Sequence, residues 1–267
     1  MGVKTPLCIE EVSRIFDCNV LIPTEHGVSD SVYLTDQGVL KLFESSSTFA
    51  ILEERNLLLN LSSLPVTQHS SDVFFLQNKP CVLYEKLNGQ SLTHPDNNHI
   101  IQIAEFMRCF HSQTVGLTSN NTALFEKPRL QSLIDQTNYL PFLEIFDSID
   151  LQLTCNGVIH GDLFLDNALF NNGELSGVVD FIEACEGDFL FDLAVVAISW
   201  CLGNGDKHSK VNLLLTHYNP DIGFEEFIPY MKYALLYYAT TRYLNDREYQ
   251  SLLAKITFLD TPSKGSM

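Results

Sequence analysis

The chain has few basic residues and none of the usual markers of several protein classes. Its 267 residues carry 16 Lys and Arg against 33 Asp and Glu, a formal net charge of −17. That balance argues against nucleic acid or an anionic membrane surface as a partner. No C-x-x-C pair occurs among the seven cysteines, Cys8, Cys18, Cys81, Cys109, Cys155, Cys185 and Cys201. An odd, scattered set of this kind, partly inside apolar runs such as Pro80-Cys81-Val82-Leu83, predicts reduced and mostly buried thiols. It does not suggest a disulfide framework or a zinc site. The first residues contain no apolar h-region, so a signal peptide is not expected. The longest apolar run, Leu193 to Leu202, is too short to span a bilayer. No internal repeat or low-complexity stretch is present, and the expected compartment is the cytoplasm.

What is present is an ordinary folding composition: 45% hydrophobic and 18% charged residues, in a chain long enough for two compact lobes. Residues 28–43 alternate short apolar runs around Asp36-Gln37-Gly38, which predicts a hairpin. Thr48 to Leu61 has helical spacing and stops before Pro65. Two strand-like runs follow, Val73 to Leu76 and Cys81 to Tyr84. After Gly89 the periodicity becomes helical: Ile100 to His111, then Gln131 to Leu151 with an interruption at Pro141. A compact β-rich region comprises Gly157–Ile159, Ala168–Phe170 and Leu175–Val179. Helical patterns resume over Phe189–Cys201 and Glu225–Tyr243. The expected fold is α+β and bilobal. A small β-rich lobe with one helix spans 1–84, a linker 85–90, and a larger, mainly helical lobe 91–267, with nucleotide in the cleft between the lobes.

Between His160 and Asp192 there are eight acids and no Lys or Arg. Carboxylates packed so densely repel one another unless water or a cation separates them. Asp166, Glu174 and Glu186 suit exposed turns. Asp162 and Asp180 each adjoin an apolar strand segment, where an unpaired charge is costly, and a metal site accounts for their placement. Asp162 is expected to act as general base or to orient an acceptor hydroxyl; Asn167 and Asp180 are expected to hold Mg²⁺ against nucleotide phosphates. His160 is expected to hold the loop by hydrogen bonds, and Asp192 to cap the following helix or tie down the loop backbone. Lys41, inside a strand, either snorkels outward or meets the α- and β-phosphates of ATP, with Glu54 of the next helix fixing it. Gly27 and Ser29 precede the first strand, where backbone N–H groups and the Ser29 hydroxyl would cover phosphates.

His160-Gly161-Asp162-Leu163-x-x-x-Asn167 with Asp180-Phe181 resembles the aminoglycoside phosphotransferase and choline kinase superfamily, relatives of protein kinases. Glu25-x-Gly27-x-Ser29, Lys41, Glu54 and Leu64-Pro65-Val66 fall in that family's order. The resemblance implies a protein-kinase-like fold over essentially the whole chain, with ATP adenine beside the linker at Tyr84, Glu85 and Leu87. Leu175 to Phe181, Ala184-Cys185, Asp192 to Val195, Trp200-Cys201 and the Tyr237–Tyr243 segment with Arg242 look like the homoserine kinases of the superfamily. That implies transfer of the ATP γ-phosphoryl to the hydroxyl of L-homoserine, a step of threonine biosynthesis. Ile182-Glu183 and Ile198-Ser199 depart from the pattern close to where an acceptor would bind. An aminoglycoside, choline, ethanolamine or sugar acceptor therefore remains open. Glu183 and Glu186 would favour a cationic acceptor; Arg242 or Arg129 would serve a carboxylate. A catalytically silent kinase-like binding protein and a metal-dependent hydrolase are the two alternatives outside this class.

Overall fold

The computed structural model describes residues 3–24, 29–121, 123–203 and 205–261. The chain divides into two compact units. The first comprises residues 1–90, 169–172 and 176–182, the second residues 91–168, 173–175 and 183–267.

The first unit opens with helix α1 (Ile9–Phe16) and strand β1 (Leu21–Pro23), followed by β2 (Ser31–Thr35) and β3 (Val39–Leu42). Helix α2 (Thr48–Asn60), β4 (Phe74–Leu76) and β5 (Lys79–Tyr84) follow, and the strands join in one antiparallel sheet of order β1-β2-β3-β5-β4. The β2–β3 hairpin turns at the predicted Asp36-Gln37-Gly38, with the Thr35 hydroxyl holding the turn through the N–H groups of Gln37 and Gly38. The β4–β5 turn is two residues tighter than the sequence suggests. Gln77 and Asn78 both take positive φ, the geometry of a two-residue hairpin, so β5 begins at Lys79.

Alternation along β3 decides what each face does. Leu40 and Leu42 point into a cluster with Val12, Phe16, Tyr33, Leu76 and Leu83, which α1 covers. Lys41, opposite Val32 and Val82 in register, belongs to the other face. Ser47 starts α2 by accepting a hydrogen bond from the Ala50 N–H. The chain after α2 returns to β5, where the Ser70 N–H donates to the Leu83 carbonyl, and it also meets Val178, which accepts the Thr67 N–H and donates to the Pro65 carbonyl.

In chain order next come β6 (Gln90–Ser91), α3 (Asn97–Thr114), α4 (Lys127–Thr137), α5 (Leu140–Ser148) and β7 (Gly157–Ile159). The helical stretch expected over 131–151 with an interruption at Pro141 is two helices, and the break falls just before that proline. Asn138 adopts a left-handed φ of 51° and ends α4, and Pro141 sits in the first turn of α5, where its missing N–H costs nothing. A 3₁₀ turn (Leu165–Asn167) leads into β8 (Ala168–Asn171), and β9 (Glu174–Val178) follows a turn at Asn172-Gly173. Strand β10 (Cys185–Gly187) pairs antiparallel with β7, which places Glu186 opposite Val158 in a strand. The exposed turn expected for Glu186 is thus corrected, since the pairing half-buries it. Helix α6 (Phe189–Val196) runs into a π-helical turn (Ala197–Cys201), and α7 (Lys207–Tyr218), α8 (Phe224–Leu244) and α9 (Gln250–Leu259) complete the second unit. Four cysteines are buried, while Cys8, Cys109 and Cys155 are exposed. Among the described residues no helix is long and apolar enough to cross a membrane.

Leu40 is fully buried between α1 and the neighbouring strands. Leu40→Ala is expected to cost roughly 2–5 kcal/mol, because that interlocked cluster cannot collapse into the space left. Urea unfolding checks this; an unchanged midpoint would contradict the packing described.

Candidate active site

The two units each carry one group of the residues singled out above. In the first unit, the Lys41 ammonium lies 2.7 Å from Asp180 Oδ1 and 3.2 Å from Asp30 Oδ2. Burial works against its charge, but the carboxylates of Asp180, Glu54 and Asp30 outweigh this and hold its pKa above that of an ordinary lysine. Lys41 is therefore a committed cation, 12% exposed at the side chain, beside an Asp180 carboxylate that is 40% exposed.

Asp30 was not recognised in the sequence. It is buried, accepts the Glu44 N–H at 3.0 Å, and faces Lys41 with its other oxygen. Its only local signal is a position just before β2, which many surface aspartates share.

Glu54 is placed differently from expectation. No ion pair joins it to Lys41; its carboxylate accepts the Tyr84 hydroxyl at 2.5 Å and contacts His69 Nε2 at 3.1 Å. Helical spacing selected Glu54 correctly over Glu53, since Glu54 is buried at 1% exposure. It could not show that a tyrosine and a histidine, both outside α2, would reach it first. The Tyr84 phenol is thereby turned inward, and burial together with the Glu54 carboxylate raises its pKa well above the usual value. Just beyond Tyr84, the Glu85 N–H donates to the Gln68 carbonyl at 2.9 Å, and Leu87 is half-buried where a Cβ on Gly177 would strike it. Ser29 is exposed, and its carbonyl accepts the Lys4 ammonium. Gly27, with Glu25, lies outside the described residues.

In the second unit the organising group is Asp192. It is fully buried and accepts three N–H groups: those of His160 (2.9 Å) and Gly161 (2.8 Å) from the loop backbone, and His111 Nε2 at 3.0 Å. Burial would raise the Asp192 carboxyl, yet the hydrogen bonds from His111 and from the His160 backbone hold it below the usual carboxylate range. His111 contacts the Tyr218 hydroxyl through Nδ1 and stacks on Phe189 with ring centres 4.1 Å apart. The expectation that Asp192 caps the following helix is corrected here. Asp188 is the cap, accepting the Leu190 and Phe191 N–H groups, and Asp192 is one turn inside α6. The other half of that expectation, a carboxylate tying down the loop backbone, agrees with the contacts found.

The loop itself is held along its length. His160 is fully buried, and its Nδ1 accepts the Asp162 N–H at 3.2 Å. Gly161 takes a φ of 78°, and a Cβ there would overlap the Phe125 ring. Tyr238 of α8 donates its hydroxyl to the Gly161 carbonyl, and Trp200 donates its indole N–H to the Leu163 carbonyl at 3.2 Å. The Ser199 hydroxyl accepts the Leu165 N–H at 3.1 Å. Asn167 Nδ2 donates to the Asp162 carbonyl at 2.8 Å, which turns its amide oxygen away from that carbonyl. Close by, Tyr237 is raised first by burial and then by the Glu183 carboxylate, while Arg129 opposes and Asp162 adds to the rise. Arg242 is half-buried near the end of α8.

Each taken singly, Asp180 offers a carboxylate and Asn167 an amide oxygen, both oxygen donors of the kind Mg²⁺ takes alongside water. Asp180 is pinned at a φ of 67°, unusual for a residue with a Cβ, which fixes where its carboxylate starts. Among the described residues no three His, Cys, Asp or Glu side chains come together as a zinc-type cage.

The sequence profile of the phosphotransferase enzyme family matches residues 20–211. The chain belongs to this family. It is a kinase of that superfamily, with its protein-kinase-like fold. Homoserine kinase of Methylobacillus flagellatus is 28% identical over 229 residues, covering 76% of this chain and 72% of that protein. Homoserine kinase of a Janthinobacterium species is 29% identical over 243 residues, with the same coverage. Among solved structures, the GDP complex of an aminoglycoside 2'-phosphotransferase has a TM-score of 0.69 at 16% identity, covering 94% of this chain and 95% of that one. Choline kinase from Streptococcus pneumoniae has a TM-score of 0.67 at 15% identity, covering 93% and 97%.

Asp192→Asn is expected to lower stability by roughly 2–4 kcal/mol, because at least one buried donor loses its anionic acceptor. The sign of the pH effect follows from the lowered carboxyl. Its stabilisation is complete above the unfolded-chain value of about 4 and is lost as pH falls through the lower folded value. Unfolding measured between neutral and acid pH should show a shallower acid limb for Asp192→Asn than for the parent; parallel limbs would contradict the assignment.

Proposed function

We propose that this kinase transfers the γ-phosphoryl group of ATP, with Mg²⁺, to the hydroxyl of a small molecule, and that the acceptor is L-homoserine, a step of threonine biosynthesis. The observation that carries the reading is the Asp162–Asn167 loop, whose backbone is fixed by Asp192, Trp200, Ser199 and Tyr238. Phosphoryl transfer is mainly a matter of positioning and charge neutralisation, so a rigid base and rigid oxygen ligands are what it requires.

In this reading Asp162 accepts the proton of the attacking hydroxyl or aligns it. Lys41, a cation at every working pH, binds the α- and β-phosphates, with Asp30, Asp180 and Glu54 holding its charge. Asp180 and Asn167 hold Mg²⁺, which when bound neutralises charge on the transferring phosphoryl group. Residues 1–84 act as the nucleotide-binding lobe, 85–90 as hinge, and 91–267 as the catalytic and acceptor lobe. Gly27 and Ser29 cover the phosphates, and Tyr84, Glu85 and Leu87 line the adenine side. His160 and Asp192 support the loop, and Glu183 and Arg242 contribute to the acceptor side. Support for homoserine comes from two relatives named homoserine kinase, each aligned over three quarters of the chain. The working compartment is the cytoplasm.

Purified protein with ATP and Mg²⁺ is expected to release ADP only when an acceptor is supplied, with L-homoserine the best among homoserine, choline, aminoglycosides and sugar alcohols. Asp162→Asn should lower kcat by about a thousandfold while folding normally. Lys41→Met should lower kcat/KM for ATP by about a hundredfold or more. Retained turnover in Asp162→Asn would remove Asp162 from its role. Preference for an aminoglycoside or choline would replace the acceptor.

A further inference from the structure

One half-buried cation of the second unit, Lys255, is used by nothing described so far, and its helix packs on the helix that carries Arg242, already given to the acceptor side. We infer that Lys255 and Arg242 form a recess for a carboxylate, so that the acceptor is a hydroxy amino acid recognised through its carboxylate; the inference rests on the small-molecule kinase reading above. Lys255 had no signal in the sequence, being one lysine in an ordinary amphipathic helix.

Arg242 lies in the last turn of α8 and Lys255 in the middle of α9, and these two helices pack on each other. The Lys255 ammonium donates one hydrogen bond to the Ile198 carbonyl at 2.9 Å. Ile198 is buried, so the ammonium is drawn toward the interior and its two other protons remain to be matched. Burial first, and then the charges of Arg242 and Lys207, lower the Lys255 pKa. Among the described residues neither Arg242 nor Lys255 forms an ion pair. The acid that acts on both, Glu248, spends its carboxylate oxygens on the N–H and hydroxyl of Ser251. Lys207 is engaged over the Phe258 ring, 4.4 Å from its centre. A half-buried ammonium with protons left to match gains from an anion that arrives to satisfy them.

The same elements that hold these cations also hold the reacting loop. Ser199, next to Ile198, accepts the Leu165 N–H, and Trp200 binds the Leu163 carbonyl. Tyr238, one helical turn before Arg242 on the same face of α8, binds the Gly161 carbonyl and packs against Phe164 with ring centres 4.7 Å apart. A small acceptor whose hydroxyl is presented to Asp162 is thus flanked by elements that carry Arg242 and Lys255. An ammonium-only acceptor such as choline or an aminoglycoside would meet two like charges there. A π-helical turn is an uncommon element often associated with function, and this one supplies both the carbonyl that seats Lys255 and the side chains that brace the loop.

Kinetics of Lys255→Met and Arg242→Met, which keep the apolar stems, test the inference, with circular dichroism and Tm as folding controls. In each variant the KM for L-homoserine should rise about ten- to hundredfold, the size of a lost charge-assisted contact. The kcat/KM for L-homoserine relative to 3-aminopropan-1-ol, the same molecule without its carboxylate, should fall by a similar factor. Lys255→Arg should restore most of the lost affinity. An unchanged homoserine KM in both Met variants overturns the recess and leaves the kinase reading standing. A parent enzyme that turns over only acceptors without a carboxylate also overturns it. If the parent shows no turnover at all, calorimetry with L-homoserine decides: binding weakened in Lys255→Met supports the recess, and no binding to the parent overturns it.

Discussion

The second unit depends on one buried carboxylate. Asp192 is withdrawn from water completely, and an ionised carboxylate there is tolerable only because three N–H groups converge on it. Two of those N–H groups are consecutive peptides of the loop that carries Asp162. Turning the loop away would leave the charge unpaired in the interior, a penalty of several kcal/mol against a total stability of similar order. The loop conformation is thus enforced by the cost of desolvation. The third donor, His111, extends the constraint to α3 and, through Tyr218 and Phe189, to α7 and the start of α6.

Around that anchor the loop is over-determined, and the redundancy suits the chemistry proposed for it. Gly161 is held from the donor side by Asp192 and from the acceptor side by Tyr238, while the Phe125 ring occupies the space a side chain would need. Leu163 and Leu165 are fixed by two neighbouring residues of the π-helical turn. A base that must meet a hydroxyl within a narrow range of distance gains more from fixed surroundings than from its own strength. The 3₁₀ turn then delivers Asn167 with its amide nitrogen returned to the Asp162 carbonyl, so the two side chains are set by one short stretch of backbone.

Much of this arrangement was legible in the sequence because it is local. The apolar strand before His160, the five-residue step from Asp162 to Asn167 and the Asn172-Gly173 turn are short-range patterns, and the backbone follows them. Helical spacing likewise separated Glu54 from Glu53. Apart from the tie between Asp192 and the loop backbone, what escaped was the partners distant in sequence. His111 and Asp192 are 81 positions apart, Lys255 and Ile198 are 57, and no periodicity links either pair. The pairing of Glu54 with Tyr84 and His69 was hidden for the same reason, as was the role of Asp30. Asp188 and Asp192 were confused because both suit a helix start, and only burial tells a cap from an anchor.

The scarcity of cations gives the charge distribution its meaning. In a chain of net charge −17, random placement would leave most lysines and arginines near surplus carboxylates on the surface. Lys41 and Lys255 are instead drawn inward by specific oxygens: Lys41 by three carboxylates that overcome its desolvation, Lys255 by a single carbonyl that does not. The contrast separates two kinds of anion site. A lysine already balanced by carboxylates can exchange partners with a polyphosphate and metal without changing its own protonation. A lysine left under-compensated gains most from one compact anion carrying a single charge. The acidic surface adds a general bias against free anions, so a carboxylate-bearing acceptor would be drawn in by local contacts at short range and not by the field of the whole protein.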